Sequence, residues 1–224
     1  MTGGTGALGR AVVKAFLDLD RGCVVAVPWI DRAEREDVSR LYADALAEQR
    51  LVLTEADVAT QGGADAAVEA ARAPEVLVNA AGGFAGGAPF HETGLEIWDA
   101  MFRINVKTAA AMCSAVLPGM LERRSGVIIN VASQAGADAP PGLAAYSTSK
   151  AAVAVLTRSL HNEVAEHGIR VNAVVPTTID TPANREAMPA ADTSLWTKPE
   201  QIARVIAWLA SDDASSVRGG LIPV

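Results

Sequence analysis

The sequence predicts an α/β fold in which a doubly wound parallel sheet carries helices on both faces. Short apolar runs rich in β-branched residues alternate with longer amphipathic helical patterns along all 224 residues, which is the order of repeated βαβ units. A glycine-rich turn also opens the chain directly before the first helical pattern, as it does in dinucleotide-binding sheets.

The predicted strands are short and almost continuously apolar. This composition suits a parallel sheet buried on both faces better than an antiparallel sheet with one exposed face. The runs are Val24–Val27, Leu51–Leu53, Val76–Val78, Val127–Ile129 and Val171–Val175, and a last strand is predicted within Gly219–Val224.

The helices are predicted from apolar residues that recur every three or four positions. The first such stripe is formed by Leu8, Ala11, Val12, Ala15, Phe16 and Leu19. Further helical patterns lie within Asp37–Gln49, Gly94–Glu122, Val153–Val164 and Ile202–Leu209.

A single domain is predicted for residues 1–224, because no linker, charge block or internal repeat divides the chain. The chain ends are unusual for this fold. Only Met1 and Thr2 precede the glycine-rich turn, where a dinucleotide-binding sheet has its central strand. Since strands usually contain about five or six residues, we expect a similar number of apolar residues before Met1 in the native polypeptide. A few more residues are expected after Val224.

Charge and composition argue against several classes of protein. The 26 acidic residues outnumber the 19 Lys and Arg residues, the net charge is −7, and no basic tract occurs, so no nucleic-acid partner is expected. Apolar runs such as Ala151–Leu156 fall far short of the ~18 residues that span a bilayer. Cys23 and Cys113 have no metal-ligand spacing and indicate buried thiols in a reducing compartment. We therefore expect a cytoplasmic protein without a membrane partner or a metal site.

The glycine-rich turn, Thr2–Gly9, has glycines at positions 3, 6 and 9. Glycine permits a tight turn between strand and helix, and it lets backbone N–H groups approach a pyrophosphate at the helix N-terminus. A glycine-rich turn alone is also compatible with an ordinary loop, but the amphipathic helix that follows at once favours a phosphate-binding turn.

Tyr146 and Lys150 are four residues apart and would share one face of a helix. An ammonium group beside a phenol favours the phenolate, so Lys150 is expected to lower the pKa of Tyr146 and suit it to acid–base catalysis. Ser133, at the end of a predicted strand and thirteen residues before Tyr146, could donate to a substrate oxygen. Each feature alone is compatible with a solvated helix face or a turn serine, but their combination favours a catalytic site.

These features resemble the short-chain dehydrogenase/reductase family over essentially the whole chain. Asn79-Ala-Ala-Gly82 resembles the family segment that stabilises the sheet and lines the cofactor cleft, which implies cofactor contacts for Asn79, Ala80 and Gly82. Asp57 and Val58 match the positions that contact adenine, and Asn105 matches the asparagine that holds a water in the proton relay. The resemblance implies that Asn105, Ser133, Tyr146 and Lys150 are the catalytic residues.

The same resemblance implies a Rossmann-like fold, an NAD or NADP cofactor and a small-molecule substrate. In the turn, the cofactor-binding positions are Gly3, Thr5, Gly6 and Leu8. Tyr146 and Lys150 contact the cofactor as well in this reading, with Lys150 binding its ribose. Pro176–Pro182 resembles the family's Pro-Gly-x-x-x-Thr-Pro segment, although Thr177 replaces the glycine. Pro176, the Ile179 backbone and the Thr181 hydroxyl would then hold the nicotinamide amide.

Three stretches also resemble quinonoid dihydropteridine reductase: the glycine-rich turn, the loop Ala81–Gly87, and Ile179–Asp192 continuing through Trp196. The turn is equally similar to ketoreductase modules of polyketide synthases. Because Asn105 and Ser133 are both present, unlike in the pterin enzymes, a carbonyl or alcohol substrate remains as plausible as a pterin.

The choice between NAD and NADP depends on the end of the second strand of the dinucleotide-binding fold. An acidic residue there binds the ribose hydroxyls of NAD, whereas an arginine accommodates the 2′-phosphate of NADP. Pro28 and Trp29 occupy this place. Of the two residues that follow Ile30, Asp31 indicates NAD and Arg32 indicates NADP. Aligning Asp31-x-x-Glu34 with the pterin enzymes makes Asp31 the selector and favours NAD.

The sequence therefore predicts an NAD(P)-dependent oxidoreductase in which Tyr146 is the general acid or base. The alternative is a non-catalytic dinucleotide-binding sensor or scaffold of the same fold, against which the complete catalytic set argues. The resemblance also implies a homodimer or homotetramer formed through the helices near Gly94 and Tyr146. Their small residues would allow close helix packing: Ala109, Ala110, Ala111, Ala151, Ala152 and Ala154.

Overall fold

A computed structural model describes residues 1–19 and 22–224. Within these residues, six parallel strands form the centre of the protein. The strands are β1 (Val25–Trp29), β2 (Leu51–Glu55), β3 (Val76–Asn79), β4 (Gly126–Val131), β5 (Ile169–Val175) and β6 (Leu221–Pro223). Strands β1 and β2 form one sheet, and β3, β4, β5 and β6 follow one another in a second. Each predicted strand is present.

The helices alternate with these strands, as the sequence predicts. They are α1 (Ala7–Leu19), α2 (Arg32–Leu41), α3 (Ala43–Ala47), α4 (Gln61–Ala71), α5 (Leu95–Met101), α6 (Thr108–Arg123), α7 (Ala135–Asp138), α8 (Ala144–Val164), α9 (Pro182–Ala187) and α10 (Pro199–Ala210).

Helices cover both faces of the four-stranded sheet. Neighbouring residues within one strand point to opposite faces, and Ile128 and Ile129 of β4 accordingly belong to different core clusters. Ile128 packs with buried residues of α4, α6 and α8, whereas Ile129 packs with those of α1 and α10. The predicted doubly wound fold is confirmed, and burial of both faces explains why its strands are mostly apolar.

Two predicted helices depart from a regular α-helix. The pattern over Asp37–Gln49 is divided at Tyr42, whose backbone leaves the helical region between α2 and α3, while its hydroxyl donates to the Arg10 carbonyl at 2.7 Å. The pattern over Gly94–Glu122 is continuous but contains a π-helical turn, Phe102–Lys107, between α5 and α6. Such turns often occur at functional sites.

The combined helix Leu95–Arg123 is long and apolar enough to cross a membrane by length and composition alone. Its buried residues instead pack against the sheet. Met112, Cys113, Val116 and Met120 lie in the same core cluster as Leu77 of β3. This packing is that of a core helix.

Met1 and Thr2 lie between the two sheets. The backbone nitrogen of Met1 donates to the Ala26 carbonyl of β1, and the Thr2 N–H donates to the Val78 carbonyl of β3 at 2.9 Å. Among the described residues, β1 and β3 share no backbone hydrogen bond. The strand order predicted from the sequence, with the segment before the turn in the middle, is therefore the observed one.

The C-terminal end of α10 is held by a buried arginine of β5. Arg170 is only 7% exposed. Its guanidinium donates to the carbonyl oxygens of Leu209, Ala210, Ser211 and Ala214. The last carbonyls of a helix lack partners within the helix, so Arg170 satisfies these groups and fixes α10 against the sheet.

Arg170→Met should destabilise the protein by about 2–4 kcal/mol, because it leaves the carbonyl oxygens of Leu209 and Ala210 without a donor. Urea denaturation at pH 7 measures the loss. Arg204→Met is the matched control, since Arg204 is exposed on α10 and its replacement should change stability by less than about 0.5 kcal/mol. Equal losses in the two variants would contradict this role of Arg170.

Candidate active site

The glycine-rich turn packs directly against the segment that follows β3. Gly3 has a φ of +65°, and a Cβ at this position would lie 2.6 Å from the Ala80 carbonyl carbon. A Cβ at Gly9 would lie 1.9 Å from the Gly3 carbonyl oxygen. Both positions therefore require glycine. Gly6 leaves room for a side chain, and its N–H donates to the Gly3 carbonyl at 3.1 Å.

This turn fits the pyrophosphate of a dinucleotide. It leads into α1, a helix of 13 residues, whose first backbone N–H groups have no partner within the helix and attract anions. Leu8 packs against the core with Val12. Thr5 is buried, and its hydroxyl donates to the Glu34 carboxylate at 2.6 Å. A side chain at Gly3 or Gly9 would force the turn out of this shape.

Asn79 and Gly82 connect the end of β3 to neighbouring elements, including two of the predicted catalytic residues. The Asn79 amide donates to Asn130 Oδ1 of β4 at 2.9 Å, so it joins two neighbouring strands. A Cβ at Gly82 would lie 2.8 Å from Asn105 Oδ1 and 3.2 Å from Lys150 Nζ. Gly82 thus lies against two of the four predicted catalytic residues.

Asn105 lies in the π-helical turn and is buried. Its Nδ2 donates to the Gly83 carbonyl at 3.1 Å and to Ser149 Oγ at 2.9 Å, while its Oδ1 accepts from the Gly83 N–H at 3.0 Å. The side chain therefore fastens the loop after β3 to α8. Ser149 is a contact that the sequence reasoning missed, although its place three residues after Tyr146 on the helix was a signal for it.

Ser133 follows β4 and is buried. Its Oγ accepts a hydrogen bond from the Ala135 N–H at 3.3 Å. The Ser133 hydroxyl also lies close enough to Tyr146, on α8, to lower the pKa of its phenol by hydrogen bonding. Two of the predicted catalytic hydroxyls therefore meet in one cleft.

Burial has a larger effect on Tyr146 than any neighbour. It raises the pKa of the phenol above its usual value, against the lowering by Ser133. The sequence predicted a pKa lowered by Lys150, so the direction in this structure is the opposite. The Lys150 ammonium instead donates to the Val131 carbonyl at 3.0 Å, and burial lowers its own pKa to about 8.

Phe84 lies at the mouth of the cleft. Its ring meets the Tyr146 ring edge to face, with centroids 5.0 Å apart, yet 64% of Phe84 is exposed. The loop that carries it is held by a hydrogen bond from the Gly87 N–H to the Gly142 carbonyl at 2.9 Å. Phe84 is thus available to contact a substrate that reaches Tyr146.

The segment after β5 is hydrogen-bonded to Gln134, the residue that follows Ser133. The Pro176 carbonyl accepts from the Gln134 N–H at 2.9 Å, and Ile179 pairs with Thr197. Thr181 caps α9, because its hydroxyl accepts from the Asn184 N–H at 3.2 Å. Thr177, which replaces a glycine of the family pattern, is exposed.

The predicted adenosine-binding residues lie at the ends of β1 and β2. Asp31 caps α2 by accepting from the Glu34 N–H at 2.9 Å. Asp57 accepts from the Ala59 N–H at 3.0 Å and forms an ion pair with Arg103, while Val58 is buried. Both carboxylates therefore have partners in the protein.

The structure brings Asn105, Ser133, Tyr146, Lys150 and Gly82 together. Asp31 and Asp57 follow β1 and β2, and Asp57 pairs with Arg103 in the π-helical turn that also carries Asn105. Residues 1–19 and 22–224 contain no group of three His, Cys, Asp or Glu side chains that could hold a metal ion. The side chains that meet in the candidate site offer the Ser133 hydroxyl, the Tyr146 phenol, the Asn105 amide and the Lys150 ammonium group.

Comparisons with known proteins agree with this geometry. The chain is 36% identical to 2-(R)-hydroxypropyl-CoM dehydrogenase of Xanthobacter autotrophicus, over 99% of this chain and 94% of that protein. A 3-oxoacyl-[acyl-carrier protein] reductase from Brucella melitensis with bound NAD superposes with a TM-score of 0.87 at 28% identity, over 100% of this chain and 87% of the other.

A third similar protein is a blue fluorescent protein from a metagenomic library in complex with NADPH. It has a TM-score of 0.86 and 28% identity, over 100% of this chain and 94% of the other. The family described as short chain dehydrogenase matches residues 1–192. The chain therefore belongs to the short-chain dehydrogenase family.

Proposed function

We propose that this protein is an NAD(P)-dependent oxidoreductase that interconverts a carbonyl compound and the corresponding alcohol. The observation that carries the proposal is the meeting of Ser133 and Tyr146 in one cleft, with Lys150 buried beside Gly82. Two solved relatives bind NAD and NADPH, and the glycine-rich turn has the shape such a cofactor needs.

When bound, the nicotinamide cofactor supplies or accepts the hydride. Tyr146 gives the proton to the substrate oxygen during reduction, or takes it during alcohol oxidation, and Ser133 donates a hydrogen bond to the same oxygen. With a pKa of about 8, Lys150 is mostly protonated at pH 7. Ser133 is the neighbour that lowers the pKa of Tyr146 against the effect of burial, and Lys150 would bind the ribose of the cofactor. Asn105 keeps this arrangement in place through Gly83 and Ser149.

The remaining predicted residues have roles in holding the cofactor. Backbone groups of Gly3–Leu8 would bind the pyrophosphate, and Asp57 with Val58 would contact adenine. Asn79, Ala80 and Gly82 would line the cleft, and Pro176, Ile179 and Thr181 would hold the nicotinamide amide. Backbone groups can serve these contacts even where side chains such as Thr181 are engaged within the protein.

An alcohol or ketone substrate is favoured over a pterin. One relative is named for a hydroxypropyl substrate, and Ser133 adds the hydroxyl that orients a carbonyl oxygen. Phe84, exposed at the mouth, could also cover a flat ring, so a quinonoid dihydropterin is the second candidate. Oxidation of NADH and NADPH over a panel of ketones, quinones and quinonoid dihydropterin distinguishes the two.

Tyr146→Phe should lower kcat by roughly 10²–10⁴, because the variant cannot transfer the proton. Binding of NADH, measured by its fluorescence, should persist, since the ring and its contact with Phe84 remain. Tyr42→Phe is the control, because the Tyr42 hydroxyl donates to the Arg10 carbonyl, in α1. Unchanged turnover in Tyr146→Phe would contradict the mechanism, and absence of turnover in wild type with intact NADH binding would favour a non-catalytic sensor.

Lys150→Met should change how stability depends on pH. Burial holds the Lys150 pKa at about 8, below the value of about 10.4 in an unfolded chain. Between these values the folded state binds fewer protons than the unfolded state, so Lys150 makes the wild type more stable as pH rises. We expect the free energy of unfolding of the wild type to increase, relative to Lys150→Met, from pH 8 to pH 10. Urea denaturation at each pH measures it.

The control is Lys14→Met, since Lys14 is exposed on α1. Its stability difference from the wild type should stay nearly constant over the same pH range. A constant difference for Lys150→Met as well would show that Lys150 is not titrating with a lowered pKa.

We also expect a homodimer or homotetramer formed through the small residues of α6 and α8. Val155 of α8 is 67% exposed, as an interface residue would be in an isolated protomer. Light scattering should show the oligomer at micromolar concentration, and Val155→Arg should dissociate it. Leu41→Arg, at an exposed position on α2, should not. A monomeric wild type would contradict this expectation.

A further inference from the structure

A carboxylate from α2 is docked on the glycine-rich turn. The Thr5 hydroxyl donates to Glu34 Oε2 at 2.6 Å, and Thr5 is only 7% exposed. Glu34 lies in the first turn of α2, directly after β1. The contact therefore joins the turn that holds a pyrophosphate to the strand end that holds the adenosine ribose in this type of fold.

The only O–H proton of Thr5 is committed in this contact, because a threonine hydroxyl has a single donor. A ribose hydroxyl can donate to the Glu34 carboxylate, which has free acceptor capacity on its two oxygens. A 2′-phosphate takes the place of one ribose hydroxyl donor and carries a charge of about −1.5 to −2 at neutral pH, so Glu34 would repel it. The Thr5–Glu34 contact therefore suits a ribose with two free hydroxyl groups.

The neighbouring arginines do not reverse this preference for a ribose diol over a 2′-phosphate. Arg10 donates to the Thr5 carbonyl at 2.7 Å and lies 3.5 Å from the Asp37 carboxylate, so its charge is already shared. Arg32, with 86% of its side chain exposed, is paired with Glu36 on the solvent side of α2. Arg35 lies over the Trp29 ring, 5.8 Å from its centroid.

Asp31, the residue predicted from the sequence to select NAD, is the N-cap of α2. Its Oδ1 accepts the Glu34 N–H at 2.9 Å and caps α2. The capping bond holds the backbone of Glu34 at the start of the helix, which in turn keeps the Glu34 side chain near Thr5. Asp31 acts on the cofactor through Glu34.

We propose that Glu34 is the specificity-determining residue that makes this protein prefer NAD to NADP, by accepting a hydrogen bond from the adenosine ribose and repelling a 2′-phosphate. This inference rests on the proposed dinucleotide-dependent function. It assigns the selection to a residue in the first turn of α2 instead of the end of β1.

The test is the binding of NADH and NADPH, measured by nicotinamide fluorescence and by calorimetry without any substrate. The wild type should bind NADH at least tenfold more tightly than NADPH. Glu34→Gln keeps the size of the side chain and removes its charge, so the ratio of the two dissociation constants should fall at least tenfold. Glu36→Gln removes a carboxylate from the outer side of the same helix and should leave the ratio within threefold of the wild type.

Two further variants, Arg35→Gln and Asp31→Asn, test whether Arg35 or Asp31 selects the cofactor instead of Glu34. Asparagine still caps a helix, so Asp31→Asn should keep the ratio within threefold if Asp31 acts only through Glu34. A wild type that prefers NADPH and loses this preference in Arg35→Gln would overturn the proposal and assign the selection to Arg35. An unchanged ratio in Glu34→Gln would also overturn it, although binding of both dinucleotides would leave the proposed function standing. Failure to bind either dinucleotide would refute both.

Discussion

The candidate active site depends on the close packing of Gly82 against Asn105 and Lys150. A Cβ at residue 82 would begin 2.8 Å from Asn105 Oδ1, so the loop after β3 can lie here only without a side chain. Asn105 then binds both backbone groups of Gly83 and reaches Ser149 in α8. The absence of a Cβ at residue 82 thereby allows the loop after β3, the π-helical turn and α8 to meet at the candidate active site.

A chain of buried polar side chains also holds α8 against the sheet. The Asn79 amide donates to Asn130, the Asn130 amide donates to Thr157 Oγ1, and the Thr157 hydroxyl donates to the Val153 carbonyl. Each of these groups is costly to bury without a partner, so α8 has one favourable position against β3 and β4. Lys150 lies one turn of α8 before Val153, and its position follows from that of the helix.

The fold could be predicted because burial on both sheet faces leaves short apolar runs, of which Val127–Ile129 is an example. The division of a helix at Tyr42 could not, since it accompanies a hydroxyl contact with Arg10, 32 residues earlier. In the candidate site, too, local patterns could be predicted and long-range contacts could not. Spacing identified Ser133 and Tyr146, which meet in the structure, but the pKa of Tyr146 depends on burial by residues that no local pattern specifies.

The acidic residues around the turn show why a residue type alone does not specify a role. Asp31, Glu34 and Asp37 lie at intervals of three along one stretch, and each carboxylate has a different partner. Asp31 binds a backbone N–H of its own helix, Asp37 pairs with Arg10 and Arg40, and Glu34 alone reaches the glycine-rich turn through Thr5. Geometry therefore distributes three similar groups among helix capping, ion pairing and a contact with the glycine-rich turn. The proposed role of Glu34 would move the selecting carboxylate one helical turn from Asp31, with the same chemistry of selection.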